Sequence, residues 1–146
     1  MRPPRIPALL ALAVLSQLVP VRAEEPGRIA VIVDGKSFVT GISLDALRDL
    51  YLRRTRLWPN GERAIPINLP AQSTVRERFS RRVLGRSPKD LISYWNARYF
   101  EGLTPPPVLP SAAAVRAYLA AEPAAIAYLL LEEVDDDSRT LLVLDQ

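Results

Sequence analysis

Residues 28–33, Arg-Ile-Ala-Val-Ile-Val, put five apolar side chains in a row behind one arginine. A strand covered on both faces has this pattern, because both sides of its pleat meet core. Ile65, Ile67 and Leu69 alternate instead, as in a half-buried strand, and Pro66 makes that strand short or places it at an edge. The two are expected side by side in one sheet, with helices packed on it. Ser43 caps a helix that buries Leu44, Leu47, Leu50 and Tyr51, with Asp45 in its first turn and Arg53-Arg54 near its negative end. Ser73 or Thr74 caps a second helix with Val75, Phe79 and Val83 on one face, Glu77 completing a capping box with Thr74. Gly85 fits its stop.

Ser87-Pro88 opens a third helix, whose Leu91, Ile92, Trp95 and Tyr99 share a face and predict core. The triplet Pro105-Pro106-Pro107 is a stiff extended connector, able to carry the chain across a sheet edge. Ser111 caps a helix over 112–121 that Pro123 ends. Residues 124–131 read as a buried strand, although their Ala and Leu content also fits a continuing helix, and 141–144 as a last short strand. Trp58, before the turn Pro59-Asn60-Gly61, reads as a core or loop anchor.

Ahead of this domain, Arg2 and Arg5 precede an apolar stretch over 8–19, and Val21-Arg22-Ala23 offers a signal-peptidase site. Such a stretch is too short for a hydrocarbon core that needs about twenty residues. The expected organisation is a signal peptide at 1–23 and one domain at 24–146. The chain carries 19 basic and 16 acidic residues. The leader holds three of the arginines and no acid, so the exported domain is neutral. Its charge is segregated: ten arginines fall within 48–86, and seven acids stand against Arg139 within 122–146. Blocks like these either face each other or mark an anion-attracting surface. Nucleic acid is a poor partner for an exported chain without a binding module.

There is no cysteine and no histidine. A lipid-anchored lipoprotein and a disulfide framework are thereby excluded, and the commonest general base and zinc ligand are missing. An enzyme would need a carboxylate pair or a Ser-Lys arrangement, and no motif ties Lys36 or Lys89 to a serine. Asp135-Asp136-Asp137 lacks the spaced ligands of a calcium loop and reads as a solvated turn. No catalytic residue, metal or cofactor is expected. The chemistry that remains is at 68–76, where a loop ends on a helix N-terminus and free N–H groups and the helix dipole suit an anion. Many helices begin this way and bind only water or their own cap.

Several stretches recur in order in one family: Leu50-Tyr51-Leu52, Trp58-Pro59-Asn60-Gly61, Pro66-Ile67-Asn68-Leu69-Pro70, Ser73 and Arg76 with Phe79, and Val83-Leu84-Gly85-Arg86-Ser87. So do Tyr94-Trp95-Asn96, Arg98-Tyr99-Phe100, Pro105-Pro106-Pro107-Val108 and Ala125-Ile126-Ala127-Tyr128. The chain resembles short, single-lobe relatives of the phosphate ABC transporter substrate-binding proteins, of the type II periplasmic binding protein-like fold. The resemblance implies an α/β fold, a single lobe with a small central sheet flanked by helices. It also implies a non-enzymatic, periplasmic or secreted protein that holds inorganic phosphate or a similar anion at a helix N-terminus, through Asn68, Gln72, Ser73, Thr74 and Arg76.

Longer members close two lobes on their ligand, and Ser73 and Asn68 stand where those proteins tend to have glycine and arginine. With one lobe, weak binding is expected unless a homodimer or a membrane transporter or sensor supplies the other wall. The alternative is an interaction module without ligand, docking to a membrane sensor or transporter through its arginine-rich face. Mass spectrometry of the exported protein is expected to find Glu24 as its first residue; a full-length species that requires detergent is the opposite outcome.

Overall fold

In the computed structural model, which describes residues 26–145, the first apolar run is strand β1 (Ile29–Asp34), with residues 29–33 at most 2% exposed. The chain continues through helix α1 (Leu44–Tyr51), a two-residue strand β2 (Ile65–Pro66) and helix α2 (Thr74–Phe79) with a π-helical turn (Ser80–Leu84). Helices α3 (Leu91–Tyr99) and α4 (Ala112–Ala121) follow. Strand β3 (Ala125–Leu130), a 3-10 turn (Leu131–Glu133) and strand β4 (Ser138–Leu144) complete it. The expected cleavage site at Ala23 lies outside the described residues.

The four strands form one mixed sheet in the order β2-β3-β1-β4. β1 is therefore internal, as a run apolar on both faces requires. Its neighbours differ from expectation: residues 65–69 do not border it, because β3 intervenes. β3 runs antiparallel to β1, from Ile29 opposite Leu130 to Ile32 opposite Ala127, and parallel to β2. Burial of a strand's faces is written in its composition, whereas the strand along its edge is chosen by backbone hydrogen bonds that any residue but proline can make. Residues 125–130 are thus strand, not a continuation of α4.

Pro66 has no N–H to donate and sits where none is needed, on the outer side of the edge strand β2, while Ile65 before it donates to Ala124 O at 3.2 Å. Ile67 makes the next rung, donating to Ile126 O at 2.8 Å. One residue on, Asn68 turns to the outer side: its N–H donates to Pro107 O at 2.8 Å, and its carbonyl accepts from Leu109 N–H at 2.9 Å. The triproline segment thus runs along the sheet edge, as its stiffness predicts.

Ser43 and Ser111 cap α1 and α4 as expected, each hydroxyl accepting an N–H three residues on. At α2 the cap is Ser73, which accepts from Arg76 N–H at 3.3 Å. Glu77 is then one residue too late for a capping box and pairs instead with Arg81, one turn along, at 2.6 Å. Gly85, at φ 71°, ends the π turn. Ser87 closes a reciprocal turn with Asp90, Asp90 N–H to Ser87 Oγ and Ser87 N–H to Asp90 Oδ2, and helical geometry starts only at Leu91.

α3 departs most from expectation. Only Leu91 of its apolar face is buried, while Ile92 is 57% and Tyr99 69% exposed. The helix is tied to the body through Leu91 and through Tyr94, whose hydroxyl donates to Leu52 O at 2.7 Å, so Ile92 and Tyr99 point away from the core while Trp95, edge-on to Tyr94, is half-buried.

β4 begins three residues earlier than expected, at Ser138, and bulges opposite Val31 and Ile32. Arg139 near its start donates to the carbonyls of Gly35, Ser37 and Val39 at 2.7, 2.9 and 3.0 Å. One guanidinium thereby fixes the loop that leaves β1. Replacing Arg139 by Ala is expected to lower stability by about 2 kcal/mol, since bonds from a charged donor are lost at half-buried carbonyls. Urea unfolding of the two proteins measures this difference.

Candidate functional site

The 68–76 loop rests on three aromatic rings drawn from α1, α2 and β3. Phe79 and Tyr128 stack with centroids 3.7 Å apart and planes 3° from parallel, and Tyr51 leans on both at 4.8 and 5.8 Å. All three are at most 1% exposed. A phenol buried this deeply needs a partner for its hydroxyl. Tyr51 donates to Ile67 O at 2.9 Å, with Ile126 O at 3.4 Å. Tyr128 donates to Asn68 Oδ1 at 2.9 Å and accepts from Leu69 N–H at 3.4 Å. Both hydroxyls therefore hold the backbone of the segment leading into the loop.

Burial raises the pKa of both phenols. For Tyr51 the neighbouring Tyr128 adds to the effect, and the bond to Ile67 opposes it. For Tyr128 the bond from Leu69 and the charge of Arg76 oppose it.

The five residues read from the sequence play different parts. Asn68 is buried, its side-chain oxygen taken by Tyr128. Arg76 folds back over the loop and donates to Leu69 O at 2.9 Å. Ser73 uses its N–H on Pro70 O at 2.9 Å and its oxygen as the cap, which leaves the hydroxyl proton to donate outward. Thr74 and Val75 open the helix, where an N–H has no preceding turn to bond. Thr74 and Gln72 are exposed.

Beside the loop lies an open cavity of about 280 Å³, bounded by Gln72, Ser73 and Val75 on one side and by Pro110, Ser111 and Ala112 on the other. The first turns of α2 and α4 thus meet one space. Sequence reasoning identified Ser111 as a cap without placing it here, because nothing local brings residues 111 and 73 together. It also missed Glu133, which lines the same cavity and accepts from Leu130 N–H at 3.2 Å. A carboxylate at this place works against an anion, so the donors of the loop act against an opposing charge.

The architecture is shared with solved structures. An ABC-type phosphate transport receptor from Vibrio cholerae superposes with a TM-score of 0.63 at 15% identity, over 79% of this chain and 45% of that one. A Clostridium perfringens protein named as a phosphate ABC transporter substrate-binding protein, with phosphate bound, gives 0.65 at 17% identity, over 79% and 44%. The fold is that of one lobe of a periplasmic binding protein. The lobe spans less than half the length of the receptors it matches. No family model matches the chain, and no curated protein does.

The tyrosine pair under the loop gives this lobe an alkaline limit. Below pH 10.0, the ordinary tyrosine value, both phenols are protonated whether the chain is folded or not. Above it the unfolded chain loses protons that the folded chain keeps. Stability is expected to fall by up to about 1.4 kcal/mol per pH unit for each tyrosine. Tyr128→Phe should make that fall shallower while costing about 1–3 kcal/mol at neutral pH, through the unpaired Asn68 and Leu69 groups. Chemical denaturation between pH 8 and about 11.5 measures both effects.

Proposed function

We propose that this lobe is an exported, non-enzymatic binding protein that takes inorganic phosphate or a similar anion at the 68–76 loop, in association with phosphate uptake or sensing. The observation that carries the reading is the cavity beside Ser73, at the head of α2, in a fold shared with receptors named for phosphate. Of the residues lining the cavity, Val75 offers a backbone N–H, Ser73 a hydroxyl and Gln72 an amide, and Thr74, exposed beside it rather than lining it, adds an N–H and a hydroxyl. Arg76 and Asn68 act mainly as positioning residues, through Leu69 and Tyr128. The absence of histidine and cysteine from the sequence agrees with binding rather than catalysis. Among the described residues no helix is long and apolar enough to cross a membrane.

A loop open on one side surrounds its anion incompletely, and water competes for every donor. The isolated monomer is therefore expected to bind phosphate with a Kd on the order of a millimolar. A second copy, or a membrane transporter or sensor seated on the cavity, would tighten binding by supplying the missing wall. The second reading, a ligand-free docking module, draws on the outward face of α3 and its neighbour, where Tyr99 is 69% and Phe100 90% exposed.

Calorimetric titration with phosphate and sulfate separates the two readings. Millimolar binding that disappears in Thr74→Glu, where a carboxylate takes the anion's place, supports the first. Micromolar binding by a verified monomer contradicts the one-lobe argument, and binding unchanged in Thr74→Glu moves the site elsewhere.

A further inference from the structure

Where the chain leaves α1, Arg53, Arg54 and Arg56 face Tyr94, Arg98 and Glu101 from α3 and its C-terminal turn, across an open cavity of about 420 Å³. The backbone at its edge is strained. Arg53 has φ 58° and is the only non-glycine residue in the left-handed region among the described residues. It closes α1 in a Schellman ending, Arg53 N–H to Leu50 O at 3.1 Å and Arg54 N–H to Asp49 O at 2.9 Å. α3 ends in the same way, Gly102 N–H to Tyr99 O at 3.0 Å and Leu103 N–H to Arg98 O at 3.1 Å, with glycine at the equivalent position and φ 77°. One ending thus has the residue that the geometry favours, and the other has an arginine.

The charge is uncompensated as well. Arg54 pairs with Asp49 at 3.5 Å and Arg98 with Glu101 at 2.7 Å. No carboxylate among the described residues pairs with Arg53, Arg56 or the nearby Arg63. Partial burial, followed by the charges of Arg63 and Arg56, lowers the pKa of Arg53. Backbone strain, partial desolvation of a cation and repulsion between like charges all oppose folding, and they coincide at one residue. Such local conflicts are characteristic of positions kept for a ligand.

We propose that this cavity binds a compact polyanion of linked phosphate-like groups, pyrophosphate being the smallest representative. Arg53 and Arg56 supply the uncompensated charge, and Arg54 and Arg98 the flanking donors. Guanidinium forks suit such an ion because each can meet two oxygens of one group at once. Tyr94 forms an inert wall: its hydroxyl is taken by Leu52 O and its ring is covered by Arg98 at 5.1 Å. The site shares no residue with the 68–76 loop and does not depend on it.

Arg53→Gly tests the proposal without endangering the fold, since glycine adopts this φ freely. Its melting temperature is expected to rise by about 2–6 °C. Calorimetry with pyrophosphate at low ionic strength should give saturable binding by the unaltered protein, about tenfold weaker in Arg53→Gly and in Arg56→Ala. Thr74→Glu should leave it unchanged, and added salt should weaken it. No saturable binding, affinity in both arginine variants equal to that of the unaltered protein, or loss of pyrophosphate only in Thr74→Glu would each overturn the proposal.

Discussion

Two phenol hydroxyls inside a hydrocarbon core set the conditions for the rest of this lobe. A hydroxyl without a partner in such surroundings is costly, so each ring must be placed where its oxygen meets backbone or amide. Tyr51 reaches Ile67 O from α1, and Tyr128 reaches Asn68 Oδ1 and Leu69 N–H from β3, with Phe79 of α2 packed against both. A helix, a second helix and a strand are thus positioned by their contacts with one short segment. That segment is what carries the loop to the head of α2, so the stability of the core and the shape of the candidate site have the same cause.

Five arginines of this lobe serve as backbone clamps. Arg48 holds Val83 O, Arg76 Leu69 O, Arg78 Gly27 O and Arg116 Glu133 O, while Arg139 holds three carbonyls at once. A planar guanidinium with five N–H groups can satisfy loop carbonyls that no sheet or helix reaches. The ion pairs, by contrast, are mostly local and exposed, and such pairs contribute little. Among the described residues none joins the arginine-rich 48–86 segment to the acidic 122–146 segment. The two blocks do not neutralise each other by direct pairing, which leaves Arg53 and Arg56 with unbalanced charge at the cavity they share with α3.

In the candidate loop several hydrogen-bond donors are drawn inward to the protein's own carbonyls and cap. The cap at Ser73 consumes one helix N–H, Pro70 O consumes another, and Leu69 O holds Arg76. Glu133, brought in by the 3-10 turn after β3, adds an opposing charge. What remains is the first turn of one helix beside the first turn of another, a weak electrostatic preference rather than an enclosed site.

Local physics was legible in the sequence. The double-faced burial of residues 29–33, the caps at Ser43 and Ser111, the stop at Gly85, the anchoring of Trp58 through Ala124 O and the stiffness of the prolines all follow from residue type and period. The loop at 68–76 was legible for the same reason, because a strand, a proline and a cap stand next to one another in the chain. Strand order was not legible, since backbone hydrogen bonds carry no side-chain signature and β3 could insert between β1 and β2 without altering either pattern. Nor was the outward face of α3, because helical periodicity shows that apolar residues share a side and does not show that anything lies opposite. The meeting of Ser73 with Ser111 and Glu133, and of Arg53 with Arg98, was decided by tertiary structure alone: each brings together residues more than thirty positions apart, a separation across which neither propensity nor periodicity carries information.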